Sequence, residues 1–220
     1  MEAQAWRKRW VDNQIGWHQE KFNPRLLKYW EGVAGAHKGA VLVPLCGKTL
    51  DMLWLAEQGH HVIGVELSEI AVESFFQENK MDAQWHELNG IRFMRSELIT
   101  IYCCDFFDTD TTWLGEIDFI YDRAAHIALP PPVRRRYGEH IGELMCKHTR
   151  GLLLTIEYDQ DKHDGPPFSV ARAEIEQNFG THFELDMLCE NEIIENQPKY
   201  REWGLDSLIE RAHILKARAA

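Results

Sequence analysis

Four short segments carry the residue types that could do chemistry: Leu45-Cys46-Gly47, Glu66, Asp105-Phe106 and Asp122-Arg123. Each follows an apolar run of strand character. The run Val41 to Leu45 ends in the tight turn at Gly47. Nineteen residues further on, Val62-Ile63-Gly64-Val65 ends in Glu66. A strand, a glycine turn, a helix, a second strand and a terminal acid make the nucleoside half-site of a doubly wound sheet. The turn lets backbone approach a ligand, and the acid can accept hydrogen bonds from both ribose hydroxyls. Ligands of such sheets sit beyond the carboxyl ends of the strands, so the four segments are expected to face one crevice.

The choice of ligand follows from the turn. A dinucleotide site needs G-x-G-x-x-G to receive a pyrophosphate at a helix N-terminus, and only Gly47 is present here. That argues against a nicotinamide-dependent oxidoreductase. A glycine-poor turn suits a ligand without phosphate, and S-adenosyl-L-methionine is one. Glu66 would hold its ribose, Asp105 and Phe106 would hold and flank its adenine, and backbone at Leu45 and Gly47 would meet its methionine portion. The tryptophans near the N-terminus would lie by the sulfonium, which aromatic faces attract as they attract ammonium.

These segments need elements to place them. Residues 2–12 have helical spacing with Trp6 and Trp10 on one face, and 13–32 are expected to continue it through Trp17, Phe22, Leu26, Leu27 and Trp30. The expectation is a helical cover over residues 1–35 that closes on the site. Residues 40–45 read as the first strand, Leu50, Leu53 and Trp54 as the buried face of a helix ended by Gly59, and 61–66 as the second strand. Ser68 is placed as the cap of a helix carrying Val72, Phe75 and Phe76. Residues 80–98 give no clear pattern. Strands are expected at 99–104, 117–121, 151–156, 182–189 and 208–216. The prolines at 130–132 start a helix with Tyr137, Ile141, Leu144 and Met145 inward, and Ser169 is expected to cap another. The fold class is therefore α/β, one doubly wound domain over 1–220, with a mostly parallel seven-stranded sheet and helices on both faces.

Bulk properties narrow the function. The chain has 220 residues, 45% hydrophobic, and a net charge of −11, which disfavours a nucleic-acid surface. The basic run Arg134-Arg135-Arg136 reads as solvated helix surface. No stretch approaches the roughly 20 apolar residues of a membrane span and none resembles a signal peptide, so a cytoplasmic protein without a membrane partner is expected. A monomer is the default at this size. Cys46, Cys103, Cys104, Cys146 and Cys189 show no metal or redox spacing and read as packing. His60, His61 and His126 read as surface or core histidines, and Asp159, Asp161, His163 and Asp164 as a solvated loop. No metal is expected.

The quoted segments, extended, resemble the thiopurine S-methyltransferase family, its bacterial branch in particular. The matching residues are Trp10-Val11-Asp12, Trp17-His18-Gln19-Glu20, Val43-Pro44-Leu45-Cys46-Gly47-Lys48, Gly64-Val65-Glu66-Leu67-Ser68-Glu69, Cys104-Asp105-Phe106-Phe107-Asp108, Asp122-Arg123-Ala124-Ala125, Gly165-Pro166-Pro167-Phe168 and Trp203-Gly204. The resemblance implies a class I methyltransferase fold and methyl transfer from S-adenosyl-L-methionine to a small-molecule aromatic or heterocyclic thiol, leaving S-adenosyl-L-homocysteine. It implies cofactor contacts for Trp10, Leu45, Glu66 and Arg123, and backbone contact with the adenine around Asp105-Phe106. It implies that Trp17 lies toward the acceptor; the loop that leads into Gly165-Pro166-Pro167-Phe168 is itself expected to form part of a lid over it. Basic side chains stand near the acceptor sulfur: Arg123 matches one, and the second falls at Lys199, with Arg201 close by. Metalloid acceptors (selenium, tellurium), halide and thiocyanate are the alternative substrates. A non-catalytic cofactor-binding protein is a further alternative.

Overall fold

The computed structural model describes residues 3–218, which divide into two compact units, Met1–Tyr121 and Asp122–Ala220. In the first, helix α1 (Ala3–Val11) is followed by an irregular segment and α2 (Pro24–Ala34). The expected continuous helix over 13–32 is therefore broken. Asn23 stops the chain and starts α2, its side chain accepting from Arg25 N at 2.9 Å, with Pro24 in the first turn. From there Leu26, Trp30 and Val33 fall on one buried face.

Strands β1 (Ala40–Pro44), β2 (His61–Glu66), β5 (Ile99–Cys103) and β6 (Phe119–Arg123) pair in parallel, β1 with β2 and β6, and β2 with β5. Apolar residues run almost unbroken through β1, as in a strand buried inside a parallel sheet. The crossovers from β1 to β2 and from β2 to β5 run through α3 (Asp51–Glu57) and α4 (Glu69–Glu78). The stretch without a clear pattern, 80–98, is a hairpin: β3 (Gln84–Leu88) and β4 (Ile91–Arg95) pair antiparallel around Asn89-Gly90, and β4 adds antiparallel to β5. The first unit's strand order is β3-β4-β5-β2-β1-β6. A short helix, α5 (Thr111–Leu114), precedes β6.

The second unit holds α6 (Pro131–Leu144), β7 (Arg150–Glu157), α7 (Arg172–Phe179), β8 (Phe183–Glu192), α8 (Pro198–Glu202) and β9 (Ile209–Ala217). Its strands run in the order β7-β9-β8, all antiparallel. The described residues thus contain nine strands rather than seven. The two extra ones are the β3-β4 hairpin.

Two sequence expectations are corrected in this unit. Arg134 is not solvated: it is 2% exposed, with Nε 2.7 Å from Glu174 of α7 and Nη1 donating to Ser169 O at 2.9 Å. It lies on the same helix face as Tyr137, Ile141 and Leu144, so its position in the apolar period outweighs its charge. Its neighbour Arg135 does stand in solvent. Ser169 does not cap α7, whose first flanking residue is Ala171. Ser169 instead ties the loop after β7 to Tyr158, accepting from Tyr158 N at 2.9 Å and donating to Tyr158 O at 2.7 Å. Among the described residues no helix is long and apolar enough to cross a membrane.

Candidate active site

In the first unit the ends of β1, β2 and β5 lie side by side, and Glu66 sits at their centre. Cys46 N bonds to Val65 O at 3.0 Å, and Cys104 N to Glu66 O at 3.1 Å, so each neighbouring strand leaves the sheet beside it. Glu66 is 7% exposed. One of its oxygens accepts Gly47 N and the other Ser68 N, each at 2.9 Å. Burial raises the Glu66 pKa above the ordinary carboxylate value, and these backbone donors pull it back. Each oxygen has lone-pair capacity left, as a ribose diol needs. Ser68 adjoins α4 as expected, but its hydroxyl makes no cap: its N–H serves Glu66 instead.

The turn before Glu66 is shaped by two left-handed residues, Leu45 (φ 46°) and Gly47 (φ 53°). A Cβ on Gly47 would come within 3.2 Å of Trp10 Cζ2 and 3.8 Å of Trp17 Nε1. The aromatic N-terminal segment therefore lies directly on the glycine turn. Trp17 packs edge-on against both Trp6 and Trp10, with ring centroids 5.3 and 5.9 Å away. Trp10, the buried residue of α1, is 7% exposed. Lys48 ties the other side of the turn to the end of α4 through Glu78, at 2.6 Å.

Asp51 was not singled out by sequence, yet it anchors this arrangement. It is fully buried; Oδ1 accepts Asn23 N at 2.7 Å and Oδ2 accepts the Tyr121 hydroxyl at 2.8 Å. One carboxylate thus joins the helix after the glycine turn, the entry to α2 and the middle of β6. Asp105, at the end of β5, caps the turn Phe106–Asp108 by accepting Phe107 N at 3.0 Å. The Phe106 ring is 4% exposed, which leaves backbone as the part of this segment a ligand would meet.

The sulfurs in this unit are subdued. Cys46 Sγ points to Gly47 O, and burial pushes its thiol well above the ordinary value. Burial also raises Cys103 to about 11 and Cys104 to about 12. His60 accepts Trp30 Nε1 at 3.0 Å in the core, and His126, in the second unit, is buried with its pKa pushed down to about 3.

Arg123, Phe168 and Lys199 belong to the second unit. Asp122 and Arg123 end β6 and enter a turn in which Ala124 has φ 70°. Phe168 N donates to Ile127 O at 2.6 Å, so the Gly165–Phe168 segment is hydrogen-bonded to the chain just after Arg123. Tyr158 donates its hydroxyl to Pro167 O. On α8, Lys199 Nζ lies over the Trp203 ring, 5.2 Å from its centroid, while Arg201 pairs with Glu195. Trp203 stacks on His163 at 3.7 Å, and Gln160 bonds both His163 O and Ser169 N. A chain of contacts therefore links Lys199 to the loop that carries Phe168. Neither His163 nor Trp203 drew a role from spacing alone, since no pattern in sequence marks two rings forty residues apart as stacked.

Gly165 holds that loop in place. It has φ 75°, and a Cβ there would stand 2.6 Å from Phe168 Cδ1. On the expectation that Phe168 flanks a thiol acceptor, Gly165→Ala should displace the ring and raise the acceptor KM on the order of tenfold, with cofactor affinity unchanged. Steady-state kinetics with both substrates varied checks this, and an unaltered acceptor KM would remove Phe168 from the acceptor site.

A family model described as thiopurine S-methyltransferase (TPMT) matches residues 1–218. The chain belongs to the thiopurine S-methyltransferase family. A thiopurine S-methyltransferase of Pseudomonas entomophila (strain L48) is 46% identical over 215 residues, covering 98% of this chain and 99% of that protein. One from Bordetella petrii is 44% identical over 208 residues, 94% and 95% of the two chains. Among solved structures, the 1,6-didemethyltoxoflavin-N1-methyltransferase of Burkholderia thailandensis, with bound 1,6-didemethyltoxoflavin and S-adenosylhomocysteine, has a TM-score of 0.62 at 16% identity, over 97% of this chain and 87% of that one. A TehB-like SAM-dependent methyltransferase from Corynebacterium glutamicum gives 0.56 at 13% identity over 98% of both chains. At such identities the likeness is one of fold, and it is the class I methyltransferase fold. Membership in the thiopurine S-methyltransferase family makes the chain an enzyme that draws its methyl group from S-adenosyl-L-methionine. The buried Glu66 carboxylate between two backbone donors, under the tryptophans on Gly47, suits that cofactor's ribose and cation.

Proposed function

We propose that this enzyme methylates the sulfur of aromatic or heterocyclic thiols, thiopurines among them, by in-line displacement. The observation that carries the cofactor half is Glu66, held by Gly47 N and Ser68 N with Trp10 over the turn. The acceptor half rests on the relatives, which are named for thiopurine. S-adenosyl-L-methionine supplies an already activated methyl group on a sulfonium. The protein's task is then positioning, worth roughly 7–11 kcal/mol of barrier when both reactants are held in line.

Glu66 holds the ribose hydroxyls, the backbone of Leu45 and Gly47 meets the methionine portion, and Trp10 lies by the sulfonium. Asp105 and Phe106 receive the adenine through their backbone. Arg123 stands by the acceptor sulfur and favours its thiolate, and a guanidinium does this without giving up a proton. It also touches the cofactor. Lys199 supplies a second positive charge, with Arg201 close by, and Trp17 and Phe168 flank the acceptor ring. We take the enzyme to be a single domain in which residues 1–35 cover the site. We take it to work as a cytoplasmic monomer on a small molecule, with no nucleic-acid or membrane partner and no metal. The net charge of −11 supports a small-molecule over a nucleic-acid acceptor.

The test is methyl transfer from labelled S-adenosyl-L-methionine to 6-mercaptopurine, with selenite and thiocyanate in parallel. Methylated thiol as the preferred product supports the assignment. Binding of S-adenosylhomocysteine without thiol methylation would move the acceptor to the metalloid or anion class.

A further inference from the structure

We propose that Asp122 and Tyr137 are positioning residues for the reaction: their hydrogen bond fixes the turn that aims Arg123 at the acceptor sulfur and, through Ile127, sets the loop bearing Phe168. This rests on the acceptor role given to Arg123 above. Asp122 immediately precedes Arg123 and is 1% exposed. Its Oδ1 accepts His126 N at 3.1 Å, and Ala125 N also bonds to the carboxylate. Its Oδ2 accepts the hydroxyl of Tyr137, itself fully buried on α6, at 2.8 Å. The carboxylate therefore closes the turn Arg123-Ala124-Ala125-His126 from inside.

That turn needs closing. Ala124 sits at φ 70°, a conformation non-glycine residues adopt only when their surroundings hold them there. The residue after the closing bond, Ile127, gives its carbonyl to Phe168 N at 2.6 Å. One buried carboxylate thus governs a basic side chain and an aromatic side chain assigned to the same acceptor. Tyr137 is the only side-chain hydroxyl among the described residues given to Asp122, and it fixes the carboxylate's rotation.

The cost of this arrangement points the same way. Burial raises Asp122 to about 6, so the folded chain holds that proton more tightly than the unfolded chain does. Stability then falls as pH rises through about 6, and at neutral pH the ionised Asp122 is a burden on the fold. A carboxylate kept there in spite of that cost is explained by the turn it holds better than by a part in the core.

The experiment is a double-mutant cycle of Tyr137→Phe and Arg123→Ala in the full-length enzyme. Its readouts are kcat/KM for 6-mercaptopurine, the Kd for S-adenosylhomocysteine and the Tm. Tyr137→Phe should lower kcat/KM about tenfold, the size of one lost hydrogen bond to a charge, with the Kd weakened no more than in Arg123→Ala. In the Arg123→Ala background it should lower kcat/KM no further, because its effect passes through Arg123. Asp122→Asn keeps the shape and one accepting oxygen for the backbone N–H groups, and its amide can donate to the Tyr137 oxygen in place of accepting from it, so kcat/KM should fall by no more than about threefold. A tenfold loss that persists without Arg123, a Kd that weakens more than in Arg123→Ala, or an Asp122→Asn loss as large as that of Arg123→Ala would each overturn the positioning role. If Arg123→Ala alone turns over like the wild type, the acceptor role of Arg123 falls and this proposal with it. An impaired Arg123→Ala with an additive cycle removes the positioning role only.

Discussion

Glu66→Ala should weaken S-adenosylhomocysteine binding by about 30- to 100-fold, the effect of losing charge-assisted hydrogen bonds worth about 2–3 kcal/mol. Two things are lost together. The ribose loses its acceptor, and the Gly47 and Ser68 N–H groups lose the carboxylate that fixes the turn. Glu66→Gln separates them: it retains an oxygen for one backbone donor but no charge, and should fall between alanine and wild type. Titration calorimetry with S-adenosylhomocysteine measures all three. The pH dependence has a defined sign. Burial holds the Glu66 pKa above its ordinary value, so affinity should decline as pH falls toward that raised value, and this decline should vanish in Glu66→Gln. Equal affinity across the three proteins would return Glu66 to an ordinary role at a strand end.

Arg123→Ala should lower kcat at saturating cofactor by about 10²–10³, the usual effect of removing one preorganised group from developing or resident charge. Melting temperature should stay within a few degrees, since the turn around Arg123 is closed by Asp122 and Tyr137 rather than by the guanidinium. A cation beside the sulfur lowers the thiol's pKa. Its removal raises that pKa, so the acid limb of the pH–rate profile should move to higher pH and the defect should shrink as pH rises. Arg123→Lys should recover part of the rate, being a point charge without the planar fork. A kcat within twofold of wild type would place the acceptor elsewhere. A loss that is the same at every pH would mean that Arg123 orients the thiol rather than ionising it.

How far the sequence carries the structure depends on where each residue's partners lie. β1, the glycine turn, β2 and Glu66 are readable because they are contiguous, and because a parallel strand announces itself as an apolar run. The β3-β4 hairpin has a signal in the sequence, since Asn89-Gly90 is a strong two-residue turn. It was masked because β3 is largely exposed and shows no apolar alternation. The irregular segment before α2 was concealed in the opposite way, by aromatic residues spaced as in a helix but packed on a loop. Arg134 has the look of solvated surface because two arginines follow it, yet its spacing from Tyr137 and Ile141 marks the buried face. Asp51 and Asp122 are harder. Each looks like an ordinary polar residue beside an element's end, and its meaning comes from tyrosines 70 and 15 residues away.

The thiols around the glycine turn bear on chemical selectivity. An enzyme that pairs a methylating agent with sulfur nucleophiles risks alkylating itself, and Cys46, Cys103 and Cys104 all adjoin segments that would hold the donor. Only thiolates attack at useful rates. With its pKa near 11, Cys103 is ionised in roughly one molecule in ten thousand at pH 7, and Cys104, near 12, in still fewer. Cys46 lies well above the ordinary value as well. The same low-polarity packing that builds the site thus keeps its own sulfurs inert, so that the sulfur to be methylated is the one brought in by the acceptor.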